Sequence, residues 1–373
     1  MTAHAEATAT VVDTGRRHGT FHPLRVDSVE PLTDDAVAIT FEVPEELADD
    51  YVYEPGQHLT LRTEVEGEEV RRNYSICAPA PSRRLRIGVK RLAGGAFSTH
   101  ATSTLQVGDV VEVMTPTGRF TPHLDPAQAR HYCAIAAGSG ITPVLSIVWS
   151  VLEVEPDSRV TLVYGNRTVG SVMFLEELAD LKDRFADRFT LLHVLSREPQ
   201  EAELLSGRLD PPRLRRLLDT LVPPSTVDQW YLCGPFAMVE ATREVLVEAG
   251  VDLHDVHTEL FHVEGEAPRG SVSPEQIRAA GTSAVRVTLD GRSSTVDVPR
   301  TGVRILDAVL GVRSDAPYAC KGGVCGTCRA RLVSGDVAME RNYALDPEEL
   351  EAGFVLACQS HPVTDEVELD FDA

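Results

Sequence analysis

The chain has 373 residues, a net charge of −22 and 43% hydrophobic residues. That length allows two or three domains with separate cores, and the acidic balance argues against nucleic acid or an anionic membrane surface as a partner. No run of about 18 apolar residues marks a membrane-spanning helix.

Residues 1–20 are rich in Ala and Thr, carry Arg16 and Arg17 and lack an apolar signal core, so they read as a disordered tail. Residues 21–126 show short alternating strands, among them Ala36–Val43, His58–Thr63, Arg86–Lys90 and Val110–Met114. Gly, Pro and Asp separate them, a spacing that predicts an antiparallel barrel. One stretch inverts the overall sign: Arg71 to Arg91 holds seven cations and no acid, which suggests a bound phosphate ligand. It contains Arg72-Asn73-Tyr74-Ser75, an R-x-Y-S strand with a phosphate-binding cation, a ring-stacking phenol and a hydroxyl. Gly94-Gly95-Ala96-Phe97-Ser98-Thr99 then turns into a short helix suited to a pyrophosphate, with Gly95 and Ser98 the candidate contacts.

Residues 127–263 alternate apolar strands with helices, the signature of a parallel sheet covered on both faces. The expected strands are Tyr132–Ala136, Val160–Tyr164, Thr190–Leu195, Gln229–Cys233 and Val256–Phe261. The expected helices are Pro143–Leu152, Phe174–Arg184, Pro211–Leu221 and Pro235–Glu248. Between the first strand and helix lies Gly138-Ser139-Gly140-Ile141-Thr142-Pro143, whose glycines admit a phosphate and whose Thr142 would be the N-cap. Cys233-Gly234-Pro235 ends the fourth strand at the same sheet edge. Arg167 and the Ser196-Arg197 pair stand at two further strand ends, where an arginine suits a 2′-phosphate and a carboxylate would suit a 2′-hydroxyl. This favours NADPH, with NADH the other carrier. His254, His257 and His262 straddle a turn and a strand with mixed facing and do not read as metal ligands.

Residues 264–282 mix Gly, Pro, Ser and Glu and read as a linker. From 283 to 373 follow a hairpin (Ala284–Leu289 and Ser294–Val298) turning at Asp290-Gly291, a helix at Arg304–Gly311, and then Cys320, Cys325, Cys328 and Cys358. The C-x4-C-x2-C spacing with a distant fourth thiol is that of plant-type 2Fe-2S ferredoxins, whereas zinc sites pair two short units. Gly322, Gly323 and Gly326 suit a loop wrapped round a cluster. The other three cysteines (Cys77, Cys133, Cys233) are scattered in apolar segments, a thiol-reducing, cytoplasmic pattern.

R-x-Y-S, G-G-x-x-S, G-S-G-I-T-P and C-G-P, in that order, resemble the ferredoxin–NADP reductase superfamily over residues 21 to about 262. The resemblance implies an FAD-binding barrel followed by a nicotinamide-binding α/β domain. By it Arg72, Tyr74 and Ser75 hold the flavin, Gly95 and Ser98 lie by its pyrophosphate, and Thr142, Cys233, Glu259 and Phe261 lie near the reacting rings, with Ser75, Cys233 and Glu259 the catalytic candidates. The Ser196-Arg197 pair resembles the phosphate-reading Ser-Arg of the plant-type members. With a ferredoxin domain of β-grasp type appended, the chain resembles fused oxygenase reductases, and it implies Cys320 with Cys325 on one iron and Cys328 with Cys358 on the other. Tyr318–Cys328, Val337–Tyr343 and the ending Phe371–Ala373 are similar to the reductase subunits of phenylacetyl-CoA epoxidases. The implied partner is the oxygenase part of a multicomponent monooxygenase in phenylacetate degradation; the alternative is an NADH-dependent reductase of a Rieske-type oxygenase. The acidic stretch Asp346–Glu351 would meet a basic surface of that partner.

Overall fold

The computed structural model describes residues 19–65, 67–261 and 281–373. All but the last two residues of the expected tail and of the expected linker, together with His262, lie outside the described residues.

Strands β1 (Phe21–Thr33), β2 (Ala36–Glu42), β3 (His58–Val65), β4 (Glu68–Ser75), β5 (Arg86–Lys90) and β6 (Val110–Met114) form an antiparallel sheet in the order β4-β3-β6-β1-β2-β5. An Ile76–Ile87 bridge joins its two ends and closes the barrel. Alternate residues Leu24 and Val26, Leu59 and Leu61, and Val111 and Val113 fill the interior, as period-2 side-chain direction requires. Helix α1 (Ala96–Ser103) lays Phe97 and Ala101 on this core.

The second layer is a five-stranded parallel sheet ordered β11-β10-β7-β8-β9, from β7 (His131–Ala137), β8 (Arg159–Asn166), β9 (Phe189–Leu195), β10 (Gln229–Cys233) and β11 (Val256–Glu259). Strand order reverses at β7, so the crevice between the ends of β7 and β10 is the switch point at which open α/β sheets bind ligands. Helices α2 (Ile141–Val154), α3 (Leu175–Arg184), α4 (Pro211–Thr220) and α5 (Phe236–Glu248) cover the sheet. Helix α2 is buried along most of its length because it is wedged between sheet and barrel. Its core continues into Ala36, Ala38 and Cys77 of the barrel. Ser146 donates to the Ala78 carbonyl at 2.7 Å and Ser150 accepts from the Ala80 N–H at 2.9 Å, fixing the two layers together.

The C-terminal part has its own core. Strands β12 (Thr282–Leu289), β13 (Arg292–Pro299), β14 (Arg329–Ser334), β16 (Phe354–Leu356) and β18 (Glu366–Asp370) form a sheet in the order β13-β12-β18-β14-β16, with β12 and β18 parallel. Helices α6 (Ile305–Leu310) and α7 (Pro347–Glu351) and a small β15 (Val337–Met339)–β17 (Ser360–Pro362) pair complete this β-grasp unit. Asp290 and Gly291 both take positive φ, 50° and 67°, as a two-residue type I′ hairpin turn demands.

The architecture is the expected one: antiparallel barrel, parallel α/β layer and β-grasp ferredoxin unit. Two details differ. Strand β1 shows no clean alternation in the sequence because Pro23 and Pro31 interrupt it, and register shifts near Ser28 and Thr33 absorb the irregularity. Strand β11 ends at Glu259, which leaves Phe261 beyond it and 39% exposed.

Candidate functional site

Strand β4 carries R-x-Y-S, and its side chains divide by alternation. Tyr74 leans on Phe97 with ring centroids 5.2 Å apart, so the tyrosine motif and the glycine-turn helix meet. Burial pushes the Tyr74 phenol above its ordinary value. Arg72 is exposed and donates to the Arg71 carbonyl at 2.7 Å. Gly94, at φ +73°, has open space where a Cβ would stand, so a ligand can come close to this turn. Ser98 serves the turn itself. Its hydroxyl accepts from the Leu92 N–H at 3.1 Å and donates to the Gly95 carbonyl at 3.2 Å, closing the turn. What the segment offers a phosphate is therefore the backbone N–H groups of the helix's first turn.

The cationic stretch is also largely spent on protein carboxylates. Arg86 reaches both Glu30 (2.8 Å) and Glu177 (3.1 Å), Arg84 reaches Glu30, Lys90 reaches Asp35 (3.2 Å) and Arg71 reaches Glu69 (2.8 Å). Arg72, the cation of the R-x-Y-S motif, stands outside these ion pairs, as do the exposed Arg83 and Arg91.

On the other side of Ser75, its hydroxyl donates to Glu259 at 3.2 Å across the seam between barrel and α/β layer. The Glu259 side chain is 14% exposed, and burial raises its carboxyl to about 8 despite the serine bond. His58, opposite Ser75 in the β3–β4 register, lies 3.9 Å from Glu259. Burial lowers its imidazole to about 4, so it stands neutral beside a protonated acid at pH 7. No sequence motif marks His58; only its register opposite Ser75 could have.

At the switch point, Gly140 supplies close packing. A Cβ there would fall 2.1 Å from the Cys233 carbonyl oxygen and 2.9 Å from the Gly234 nitrogen. Gly138 faces open space and has φ +55°, and Tyr164 fixes its carbonyl with a 2.9 Å hydrogen bond. The N-cap is Gly140, not Thr142: the helix begins two residues earlier, and Thr142 donates back to the Ser139 carbonyl at 3.0 Å. Cys233 is fully buried, and burial, with the Glu259 carboxyl beside it, holds its thiol well above the ordinary value, as suits a thiol that packs rather than one held as thiolate. Two loops at the same edge are tied together. The Ser196 N–H donates to the Asn166 carbonyl (2.9 Å) and the Arg197 N–H to the Arg167 carbonyl (2.8 Å), so both exposed arginines emerge from adjacent backbone. Among the histidines, His257 stacks on Tyr231 at 4.7 Å and bonds Gln229, while His254 is exposed beside Asp255.

In the cysteine loop, Cys320 contacts Cys325 and Cys328 contacts Cys358 through their thiols. The Gly322 N–H lies 3.3 Å from Cys320 Sγ, and the Gly323 N–H also bonds the Cys358 sulfur. Among the described residues, no group of three or more His, Cys, Asp or Glu side chains is placed to hold one metal ion. Two thiol pairs with N–H donors beside them fit a 2Fe-2S cluster rather than one zinc. A cleft of about 1570 Å³ runs from Arg72, Ser75 and His58 past Glu259 and Phe261 to Cys320 and Cys325, so all three parts of the chain face one space.

Family models for an oxidoreductase FAD-binding domain, an oxidoreductase NAD-binding domain and a 2Fe-2S iron-sulfur cluster binding domain match residues 23–121, 134–244 and 287–363. The chain is 44% identical over 354 residues to a subunit of the 1,2-phenylacetyl-CoA epoxidase of Escherichia coli, covering 95% of this chain and 98% of that one. This chain belongs to the FAD and 2Fe-2S oxygenase reductases. The reductase is also 36% identical to the ferredoxin reductase component of 3-ketosteroid-9-alpha-monooxygenase from Mycobacterium tuberculosis, covering 94% and 95% of the two chains. Its fold is that of phthalate dioxygenase reductase, with TM-score 0.57 and 24% identity over 94% of this chain and 98% of the other. The reductase is an electron-transfer oxidoreductase that uses FAD, a nicotinamide cofactor and a 2Fe-2S cluster and serves an oxygenase.

Two outcomes follow from this geometry. Gly140→Ala should cost about 1–3 kcal/mol in denaturant unfolding, because the obstacle is a backbone carbonyl that no rotamer change can clear. Glu259 binds its proton more tightly folded than unfolded, so it subtracts stability as pH rises from the unfolded carboxyl value towards about 8. Glu259→Gln should therefore raise the melting temperature of the flavin-free chain at pH 8.5 and leave it nearly unchanged at pH 4.5.

Proposed function

We propose that the reductase takes electrons from NADPH and delivers them to the oxygenase that epoxidises phenylacetyl-CoA. The observation carrying this is the 44% identity to the Escherichia coli protein over nearly the whole of both chains, against 36% for the ketosteroid reductases. In this reading residues 21–126 bind FAD, 127–263 bind the nicotinamide and 283–373 hold the cluster. The acidic chain, in which no described helix is long and apolar enough to cross a membrane, supports a cytoplasmic protein whose macromolecular partner is the oxygenase, not nucleic acid or membrane.

FAD held here would supply the conversion of a two-electron hydride into single electrons that the cluster can carry. The residues of the chain orient and tune rather than react. Arg72 and the first turn of α1 hold the phosphates. Tyr74, braced by Phe97, and Ser75 seat the ring. Glu259, neutral at pH 7 and bonded to Ser75, keeps a carboxyl proton at the seam where the two domains bring their ligands together. Gly138 and Gly140 shape the switch-point turn, and Thr142, Cys233 and Gly234 form a small, uncharged floor for the nicotinamide, with Phe261 at its rim. Ser196 and Arg197, with Arg167 beside them, read the 2′-phosphate. The thiolates of Cys320, Cys325, Cys328 and Cys358 would ligate the irons.

A lost arginine–phosphate contact is worth roughly 1.5–3 kcal/mol. Arg197→Ala should raise KM for NADPH by about tenfold or more and leave that for NADH within about twofold. Equal effects on both cofactors, or a wild-type preference for NADH, would refute the assignment.

The Rieske reading draws on the 36% identical ketosteroid relatives. NADPH-dependent oxygen uptake with phenylacetyl-CoA and the epoxidase oxygenase separates the two. Efficient reduction of a Rieske oxygenase with none of the epoxidase would replace the partner and leave the electron path intact.

A further inference from the structure

The ferredoxin unit is docked on the barrel through three side-chain contacts close to the cluster loop, and Arg119, the barrel partner in the third, also donates to the Ala344 carbonyl at 3.3 Å. Tyr318, two residues before Cys320, lies under Arg71 with the guanidinium 4.2 Å from the ring centroid, and its hydroxyl is 3.4 Å from Glu69. Thr327, next to Cys328, meets Asn73 at 3.4 Å. Glu349 bonds Arg119 of the barrel with both carboxylate oxygens and bonds Arg329, which follows Cys328, at 2.7 Å.

Charge makes the third contact the decisive one. Residues 283–373 hold nine Lys and Arg against fifteen Asp and Glu, so this unit is net acidic, and so is the remainder of the chain. Two net-negative bodies repel over a Debye length, about 10 Å at 0.1 M salt. Arg119 sets a barrel cation directly against an acidic residue of the opposing unit. The Glu349 side chain is 10% exposed, the Arg119 side chain 52%. Removing Arg119 leaves Glu349 still paired with Arg329 and bonded to the Asp346 N–H in the capping box of α7, so the ferredoxin fold keeps its carboxylate satisfied. The acidic stretch Asp346–Glu351 is thus not all available to an external partner: Glu349 is committed within the chain.

We propose that Arg119 is a positioning residue for electron transfer, a counter-charge that holds the acidic ferredoxin unit on the barrel with its cluster loop against the flavin-bearing strand. This rests on the reading that electrons pass from flavin to cluster within one chain. The Arg119 guanidinium spends its hydrogen bonds on Glu349 and the Ala344 carbonyl of the ferredoxin unit, so its removal should spare the first step and slow the second.

The experiment is anaerobic rapid mixing of the holoprotein with NADPH, following flavin and cluster absorbance separately, for wild type, Arg119→Gln, Arg119→Glu and Arg119→Lys. At low ionic strength flavin reduction should be the same in all four. Cluster reduction should fall about tenfold in Arg119→Gln and further in Arg119→Glu, and Arg119→Lys should recover most of it. Because salt screens the long-range repulsion more than the contact pair, the Arg119→Gln defect should shrink as salt rises to about 0.5 M. Small-angle scattering should show a larger radius of gyration for Arg119→Gln than for wild type at low salt, converging at high salt. Unchanged cluster reduction and unchanged dimensions in Arg119→Gln would overturn the proposal. So would a defect independent of salt and equal in Arg119→Lys, which would mark a purely structural role. A wild-type cluster that NADPH does not reduce would overturn the electron path and this proposal with it, whereas a reduced wild-type cluster with unaffected variants overturns the proposal alone.

Discussion

The arrangement depends on the two-sidedness of one strand, Glu68–Ser75. Successive side chains on a strand point to opposite faces. Arg71, Asn73 and Ser75 accordingly meet Tyr318, Thr327 and Glu259 in turn, while Tyr74 packs on Phe97. One strand therefore addresses the glycine-turn helix, the last strand of the α/β layer and the ferredoxin unit. A register slip of one residue would exchange these faces and separate all three. The eight-pair ladder with β3, from His58–Ser75 to Val65–Glu68, holds that register.

The two interfaces of the barrel differ in kind. Against the α/β layer it shares a continuous apolar core, with Ala36, Ala38 and Cys77 packed among residues of α2 and the parallel sheet. Against the ferredoxin unit it uses a few cation–aromatic, hydroxyl–amide and ion-pair contacts, in which Arg71 and Glu349 are buried while Arg119 is half exposed. Buried apolar contact is non-directional and strong in sum, whereas exposed polar pairs are individually weak. Hydride donor and flavin sites are thus joined rigidly, and the cluster is held by contacts that are cheaper to break.

Much of this was legible in the sequence because it is encoded locally. The cysteine spacing, the Asp290-Gly291 turn, the glycine loop and the alternating strand–helix pattern each lie within a short window, and each matches the structure to within a residue or two. What was illegible depends on residues distant in the chain. The run Arg71–Arg91 looks like an open anion site until Glu30, Asp35 and Glu177 fold onto it. Gly140 looks like a phosphate glycine until the Cys233 carbonyl arrives against it. His58 carries no local signal because its meaning comes from the register opposite Ser75 and from Glu259 across the seam. The acidic run at Asp346–Glu351 reads as a face for a basic surface of the partner, yet Glu349 is committed to arginines 20 and 230 residues away in this same chain.

The shared core of barrel and α/β layer also bears on how such a chain can be cut and recombined. A break between these two layers would expose the apolar flank of α2 and strip the barrel of part of its own packing, so neither half is a self-sufficient cassette. The ferredoxin unit closes its core without help from either. A recombination point after β11 would therefore exchange the electron outlet as a module while the flavin–nicotinamide engine is inherited whole.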